Sequence, residues 1–481
     1  MFFDTPAYLL FLTVVVLVYW RLGRLQQNIL LLAASYFFYG WWDWRFLSLI
    51  FISTVVDYFC AHYIHSSSNP LRRRVLLLTS ITLNIGFLGF FKYCNFFVDS
   101  FAEALAQIGI SVSTGTLQIL LPPGISFYTF QAVAYIIDVY FGRLRPAQSL
   151  LDYALFISLF PHLIAGPIQR PSHLLPQVQS PRVFDLDRWF SGLSLIASGL
   201  FRKCVIADNC SLLAEGAFGG KLGEPSLPVL AIGAYAFAWQ IYGDFSGYSN
   251  IARGSAQLLG FHFMVNFRQP YLASSLQDFW RRWHISLSTW LRDYLYFSLG
   301  GNREGSLRTY RNLMLTMVIG GFWHGANWTY VIWGAIQGSV LSLERFFATL
   351  LGFKTASDNR GSLTRLSLWA PSVMLQRVII FHIVCAGWVF FRSESVGAAY
   401  NLLSNGLTSA NWIPEYLTAF QFLVMFTLPL FMIDVINEWR REEYLLAGSH
   451  PFIRAAVALL FIACTLLFAG SKSNVFIYFQ F

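Results

Sequence analysis

Apolar positions in this chain come in long runs, and polar residues are confined to short interruptions between them. The runs lie near 6–20, 27–42, 46–64, 75–97, 117–141, 189–206, 227–252, 312–343, 373–393, 417–435 and 452–470. A helix needs about 20 residues to cross a bilayer, so the pattern predicts an all-α polytopic membrane protein. It has about 11 transmembrane helices, several of them short or tilted. No second domain and no internal repeat is visible, so residues 1–481 read as one integral-membrane domain with the chemistry-bearing core at 117–345.

Two segments depart from the pattern. Residues 151–168 (LDYALFISLFPHLIAGPI) are apolar but broken by Pro161 and Gly166-Pro167, as expected of a re-entrant or broken helix surrounded by protein. Residues 278–298 (DFWRRWHISLSTWLRDYLYFS) are amphipathic. At helical spacing Trp280, Trp283, His284, Leu287, Trp290 and Leu291 share one face, with Arg281, Arg282, Ser288, Thr289 and Arg292 on the other. That predicts one helix lying in the interface, tryptophans down and arginines toward phosphates. The polar run 353–367 (FKTASDNRGSLTRLS) is the best candidate for an extramembrane connection.

Composition sharpens the membrane reading. Of 481 residues 56% are hydrophobic and 12% charged, about half the roughly 25% charge of a soluble domain. The basic residues that give the formal charge of +9 sit in short loops, at Arg21/Arg24, Arg72–Arg74 and Arg143/Arg145. This is the distribution of loops held on the cytoplasmic side, and it fits nucleic acid poorly. Six scattered cysteines form no CxxC pair, so neither a zinc knuckle nor a disulfide framework is indicated. The first apolar run follows Asp4 and precedes Arg21 and Arg24, the charge order of a membrane helix with its N-terminus outside rather than of a cleaved signal.

Against this background two histidines stand out. From Asn312 to Leu343 there is no Asp, Glu, Lys or Arg. As one helix this run would extend roughly 48 Å at 1.5 Å per residue, so it must tilt or break, and Gly320-Gly321 and Gly325 are the places to do so. His324, in GGFWHGANW, then lies well inside the membrane. The GxxxG spacings Gly321–Gly325 and Gly334–Gly338 equally serve helix packing, and a histidine could bond across helices there. Intramembrane ionisable groups more often mark chemistry, and His324 has Asn327 nearby, with Trp323 and Trp328 to wall a cavity. His284 is the second, set among tryptophans rather than arginines. Asp244 and Tyr248 in YGDFSGYSN, and Arg170 in PHLIAGPIQRP, are further polar groups in apolar surroundings; a helix end and a loop would account for them structurally. No GxSxG, HExxH or Walker A loop is present, and no third ligand stands beside the histidines to hold a metal. Imidazole without a nucleophilic partner suits general-base catalysis on a hydroxyl attacking an activated carbonyl, that is, O-acyl transfer.

The stretches FWRRWHISLSTWLRDYLYFSLGGNR (279–303), GGFWHGANWTYVIWG (320–334), DFSGYSNIARG (244–254), FPHLIAGPIQRP (160–171) and GWVFFRS (387–393) closely resemble the membrane-bound O-acyltransferase family. Within it they resemble the branch that acetylates bacterial polysaccharides such as alginate. The resemblance implies tilted helices around a thinned centre, with a tunnel from a cytoplasmic pocket to an outward funnel. It places the family's presumed catalytic base on His324 and its second active-site histidine on His284. The residues around them add Asn327, Trp323, Asp244, Tyr248, Arg170, Arg281 and Arg282 as candidates for the tunnel or the donor site. The resemblance further implies acetyl-CoA as donor with no bound cofactor, a bacterial inner-membrane location, and partners among membrane lipids and periplasmic acetyltransferase or adaptor proteins. Asn250 replaces the aspartate usual after SGYS in the alginate branch, and QRPSHLLPQV (169–178) is the generic form, which leaves cellulose, peptidoglycan or D-alanyl transfer as alternatives. A lipid-linked glycan transporter with histidine proton relays is the rival from another class; it would show repeats and midplane acids, of which the chain offers little.

Overall fold

The computed structural model describes residues 1–111, 119–164, 166–351, 369–470 and 476–477. The polar run at 353–367 lies outside them. Every regular element among the described residues is helical, and the chain divides into two compact units: Met1–Ile196 with Ile251–Met264, and Ala197–Asn250 with Val265–Phe481.

The first unit holds α1 (Pro6–Tyr19), α2 (Arg24–Asp43), α3 (Leu47–Ser66), α4 (Pro70–Leu88), α5 (Cys94–Gln107), α6 (Ile125–Tyr140), α7 (Leu150–Ser158), α8 (Phe160–Leu163), α9 (Pro171–Gln179) and most of α10 (Leu186–Leu200). Local chemistry sets the helix starts. The Thr5 hydroxyl accepts from Tyr8 N ahead of α1, and Pro6 stands where a missing N–H costs nothing. α6 is buried almost throughout, and the polar Gln131 that it carries meets His162. α3, α4 and α7 meet around Asp57, which is fully buried. Its carboxylate accepts from Ser80, Asn84, Ser53 and Tyr153. The expected break at 151–168 is present: α7 stops at Ser158, Leu159 leaves the helical conformation, and Pro161 stands in the first turn of α8.

The second unit starts with a π-helical stretch, Phe201–Ala207, and continues through α11 (Asp208–Phe218), α12 (Leu227–Leu258, with 251–258 in the first unit), α13 (Leu276–Arg282), α14 (Ile285–Trp290), α15 (Ser306–His324), α16 (Trp328–Leu350), α17 (Pro371–Arg392), α18 (Val396–Thr408), α19 (Pro414–Arg440) and α20 (Pro451–Phe468). The uncharged run at 312–343 breaks at Gly325 into the α15–α16 hairpin. Its glycines are the contact. A Cβ on Gly321 would sit 2.3 Å from the Tyr330 carbonyl oxygen, and one on Gly334 would sit 2.4 Å from that of Met317. Backbone meets backbone here, as small-residue spacings permit.

Six helical stretches among the described residues are long and apolar enough to cross a membrane: Arg24–Ser66, Pro70–Gln107, Leu186–Phe218, Pro371–Arg392, Pro414–Arg440 and Pro451–Phe468. The chain is a membrane protein. The remaining apolar runs fall short for identifiable reasons. α1 and α6 have 14 and 16 residues, the two helices that share the 312–343 run are long enough but carry Arg308 and Arg311 in α15 and Gln337, Glu344 and Arg345 in α16, and α12 carries the polar cluster around Asp244.

Two expectations are corrected. The single interfacial helix at 278–298 is instead α13, a break at Trp283-His284, α14 and a π-helical stretch, Leu291–Tyr296. Its arginines do not share an outer face, because Arg282 is buried while Arg281 is exposed. The segment YGDFSGYSN is not a helix end: α12 runs through it, and its polar side chains are met by partners on other elements.

Candidate active site

His324 closes α15, and the chain then extends through Gly325, where a Cβ would lie 2.1 Å from the Tyr330 ring. Only glycine lets the turn fold this tightly against α16. The imidazole is 3% exposed and stands in an aromatic box. Trp323 lies 5.0 Å away, Phe391 5.2 Å and Trp333 5.3 Å between ring centroids, and Trp333 is in turn stacked on Trp388.

His284 sits at the break between α13 and α14 with φ 42°, a left-handed conformation uncommon outside glycine. It is fully buried. Its Nδ1 lies 3.2 Å from Asn266 Oδ1, an atom that also accepts from the Ser286 backbone N–H at 3.3 Å and from the Ser286 hydroxyl at 2.9 Å. Asn266 Nδ2 donates to Ser249 at 3.1 Å. These contacts fix the amide's orientation, so its oxygen faces the ring. An amide oxygen only accepts, hence Nδ1 carries the proton and Nε2 the lone pair. Burial pushes this imidazole down to about 3, which keeps it neutral at physiological pH. Phe245 stands edge-on at 4.6 Å. Trp323 touches both imidazoles, at 6.1 Å from His284 and 5.0 Å from His324.

A cavity of about 730 Å³ opens onto His324. Trp333, Trp280, Met317 and Gly320 give its lining an apolar part, and Arg281, Arg292 and Arg345 give it cations. His284 does not line it. A pocket that offers an imidazole among aromatic rings together with several guanidinium groups can take an anionic carrier and hold its reactive end in a dry place.

The other candidate residues are placed as follows. Asn327 caps α16: its Oδ1 accepts from Thr329 N at 2.9 Å and its Nδ2 donates to the Glu394 carbonyl at 3.1 Å. Both ends of the amide therefore serve the fold. Trp328, expected to wall the cavity, is 53% exposed and takes no part in it. Arg282 is not in the cavity either; Asp278 and Glu438 clasp it. Asp244 is buried, pairing with Lys203 at 3.0 Å and accepting from Ile477 N at 2.7 Å, and Tyr248 packs on Phe476. Arg170, half-buried in the first unit, precedes α9. Nearby, His162 is saturated by the Phe156 carbonyl and the Gln131 amide, the bonding of a structural histidine.

Sequence reasoning missed Asn266 and the consecutive cations Arg202 and Lys203. Arg202 bonds Tyr242 and Ser246 and lies 3.7 Å from Asp434, while Lys203 pairs with Asp208 and Asp244. The signal was available: adjacent Arg and Lys inside an apolar run demand buried partners.

Residues 143–363 match the model of the membrane-bound O-acyltransferase family. The chain is 38% identical over 507 residues to a probable alginate O-acetylase of Pseudomonas putida, covering all of both chains. It is 34% identical over 531 residues to a peptidoglycan O-acetyltransferase of Helicobacter pylori, covering 100% of this chain and 97% of that one. Over 265 residues it is 30% identical to a teichoic acid D-alanyltransferase of Streptococcus thermophilus, covering 50% of this chain and 62% of the other. The chain belongs to the membrane-bound O-acyltransferase family. It is an acyltransferase, and its two histidine motifs fall within the matched residues.

Proposed function

We propose that this protein is a bacterial inner-membrane O-acetyltransferase that takes acetyl from a cytoplasmic thioester, acetyl-CoA, and passes it toward hydroxyls of an extracytoplasmic polysaccharide. An alginate-type exopolysaccharide is the acceptor best supported, since the relative named for alginate is 38% identical and the one named for peptidoglycan 34%. One observation carries the reading: His324 opens into a cavity that also holds Arg281, Arg292 and Arg345. The cations suit the phosphates of the donor, and the aromatic box suits its acetyl end. His324 acts as general base. It takes the proton of an acceptor hydroxyl as that oxygen attacks the thioester carbonyl. The O–C bond forms, the C–S bond breaks, and the proton passes from imidazolium to the departing thiolate. His284, neutral and oriented by Asn266, contacts the same Trp323 ring as His324 and serves as the second histidine of the centre. Basic residues at the starts of α2 and α4, Arg24 and Arg72–Arg74, with Arg21 just before α2, support the orientation. Membrane lipids surround the protein, and periplasmic acetyltransferase or adaptor proteins complete delivery.

The test is the acetyl content of the secreted polymer and of the wall, measured by mass spectrometry with and without His324→Ala. Loss of the polymer's acetyl groups at unchanged protein level is expected. Normal acetylation at that protein level overturns the catalytic role, and loss confined to peptidoglycan, or a D-alanyl mass instead, overturns the acceptor or the cargo.

A further inference from the structure

The segment Asn266–Gln269 is bonded on one side to His284 and on the other to a buried ion cluster. Asn266 Oδ1 takes the imidazole Nδ1–H, and the Asn266 carbonyl accepts from Ile285 N at 2.9 Å. Two residues on, Arg268 N donates to the Arg282 carbonyl at 2.9 Å, and Arg282 Nη1 reaches the Gln269 carbonyl at 3.3 Å. Arg282 is the last residue of α13, immediately before the break at Trp283-His284. Its guanidinium is held by both carboxylate oxygens of Glu438 on α19, each at 2.8 Å, and by Asp278 at 3.1 Å. Arg377 of α17 lies 3.6 Å from the same Glu438. Two residues of this small region, Gln269 and His284, have φ of 42°. Neither conformation is favourable for a side chain with a Cβ, so the surroundings must impose both.

We infer that Glu438 is a positioning residue for the acyl transfer: by clasping Arg282 in a two-pronged pair it fixes the Asn266–Gln269 segment, and through Asn266 the ring orientation and tautomer of His284. The inference rests on the reading of His284 as part of the reaction centre. A bidentate carboxylate–guanidinium pair supplies directional rigidity that a single charge does not, and a misplacement of about 1 Å at a reacting group can cost about 100-fold in rate. The fork is spent entirely on protein. Arg282 therefore offers nothing to a donor, unlike its neighbour Arg281, which lines the cavity.

The experiment compares Glu438→Gln, Glu438→Asp, Asn266→Ala, the double variant Asn266→Ala/Glu438→Gln, and His284→Ala. Purified protein in lipid is assayed with acetyl-CoA, and each variant is checked for a single monodisperse species and for its melting midpoint. Glu438→Gln is expected to lower kcat about tenfold or more with the donor KM unchanged, because the cavity arginines are untouched. Glu438→Asp, keeping the charge, is expected to recover part of that loss. The double variant is expected to be no slower than Asn266→Ala alone, since both act along one path. Wild-type kcat in Glu438→Gln overturns the inference. Multiplicative losses in the double variant, or equal losses from Gln and Asp that track a lowered melting midpoint, overturn it as well by reducing Glu438 to a structural residue. Full activity of His284→Ala would instead overturn the underlying reading of His284, and so the two failures are distinguishable.

Discussion

Alanine at Gly334 tests how closely the α15–α16 hairpin must close to place His324. The new Cβ would lie 2.4 Å from the Met317 carbonyl oxygen and 3.0 Å from both Met317 C and Val318 Cα. A carbon meets a carbonyl oxygen at about 3.3 Å at the closest, so the deficit is roughly 0.9 Å. The obstructing atoms are main chain on a helix, and no rotamer change relieves them. The two helices must part, at a cost of about 1–3 kcal/mol for overpacking of this kind. The helix that moves is the one that ends on His324. We expect the melting midpoint of the detergent-solubilised protein to fall by several degrees and acetyl transfer to fall with it, since about 1 Å of misplacement can cost 100-fold in rate. Gly86→Ala is the control: nothing lies within 4 Å of its Cβ, and alanine in mid-helix is neutral or stabilising by up to about 1 kcal/mol. A Gly334→Ala protein that melts and turns over like wild type would refute the close-packing argument.

Arg281→Ala and Arg345→Ala, separately, should raise the KM for acetyl-CoA several-fold at unchanged kcat, measured by steady-state kinetics; an unchanged KM in both would remove the cations from donor binding. Acid should destabilise the fold through its buried imidazoles. Burial pushes His162 and His284 from the ordinary 6.5 down to about 3. Below 6.5 the unfolded chain binds protons that the folded chain refuses, so their contribution is complete above about pH 6.5 and is lost as pH falls toward 3. The melting midpoint should be flat above neutrality and decline below it, less steeply in His162→Gln; an equal slope in that variant would contradict the assignment.

The sequence made legible what depends on runs and spacing. Long apolar stretches, the break near Gly325, the glycine-mediated contact and the burial of two histidines among aromatic rings all follow from position along the chain. Pairing across the fold was hidden. Arg282 sits next to Arg281 and shares its helix, yet α13 ends there and the chain turns at Trp283-His284, so one arginine lines the cavity and the other meets Glu438, 156 residues away. The polar residues of YGDFSGYSN suggested a helix end because their partners, Lys203 for Asp244 and Arg202 for Ser246, could not be seen in the segment itself. Asn327 shows the opposite case. Its place beside His324 suggested chemistry, but an asparagine ahead of a helix is first a cap.

The π-helical stretch Phe201–Ala207 makes chain length a constraint in its own right. Such a turn accommodates one residue more than ordinary α-helix, and within it two consecutive cations both reach buried anions. Removing any one residue there would tighten the coil and swing a guanidinium or ammonium away from its carboxylate into the apolar protein around it, leaving a buried charge unpaired. A change of identity at most positions in this stretch is therefore a smaller disturbance than a change of register.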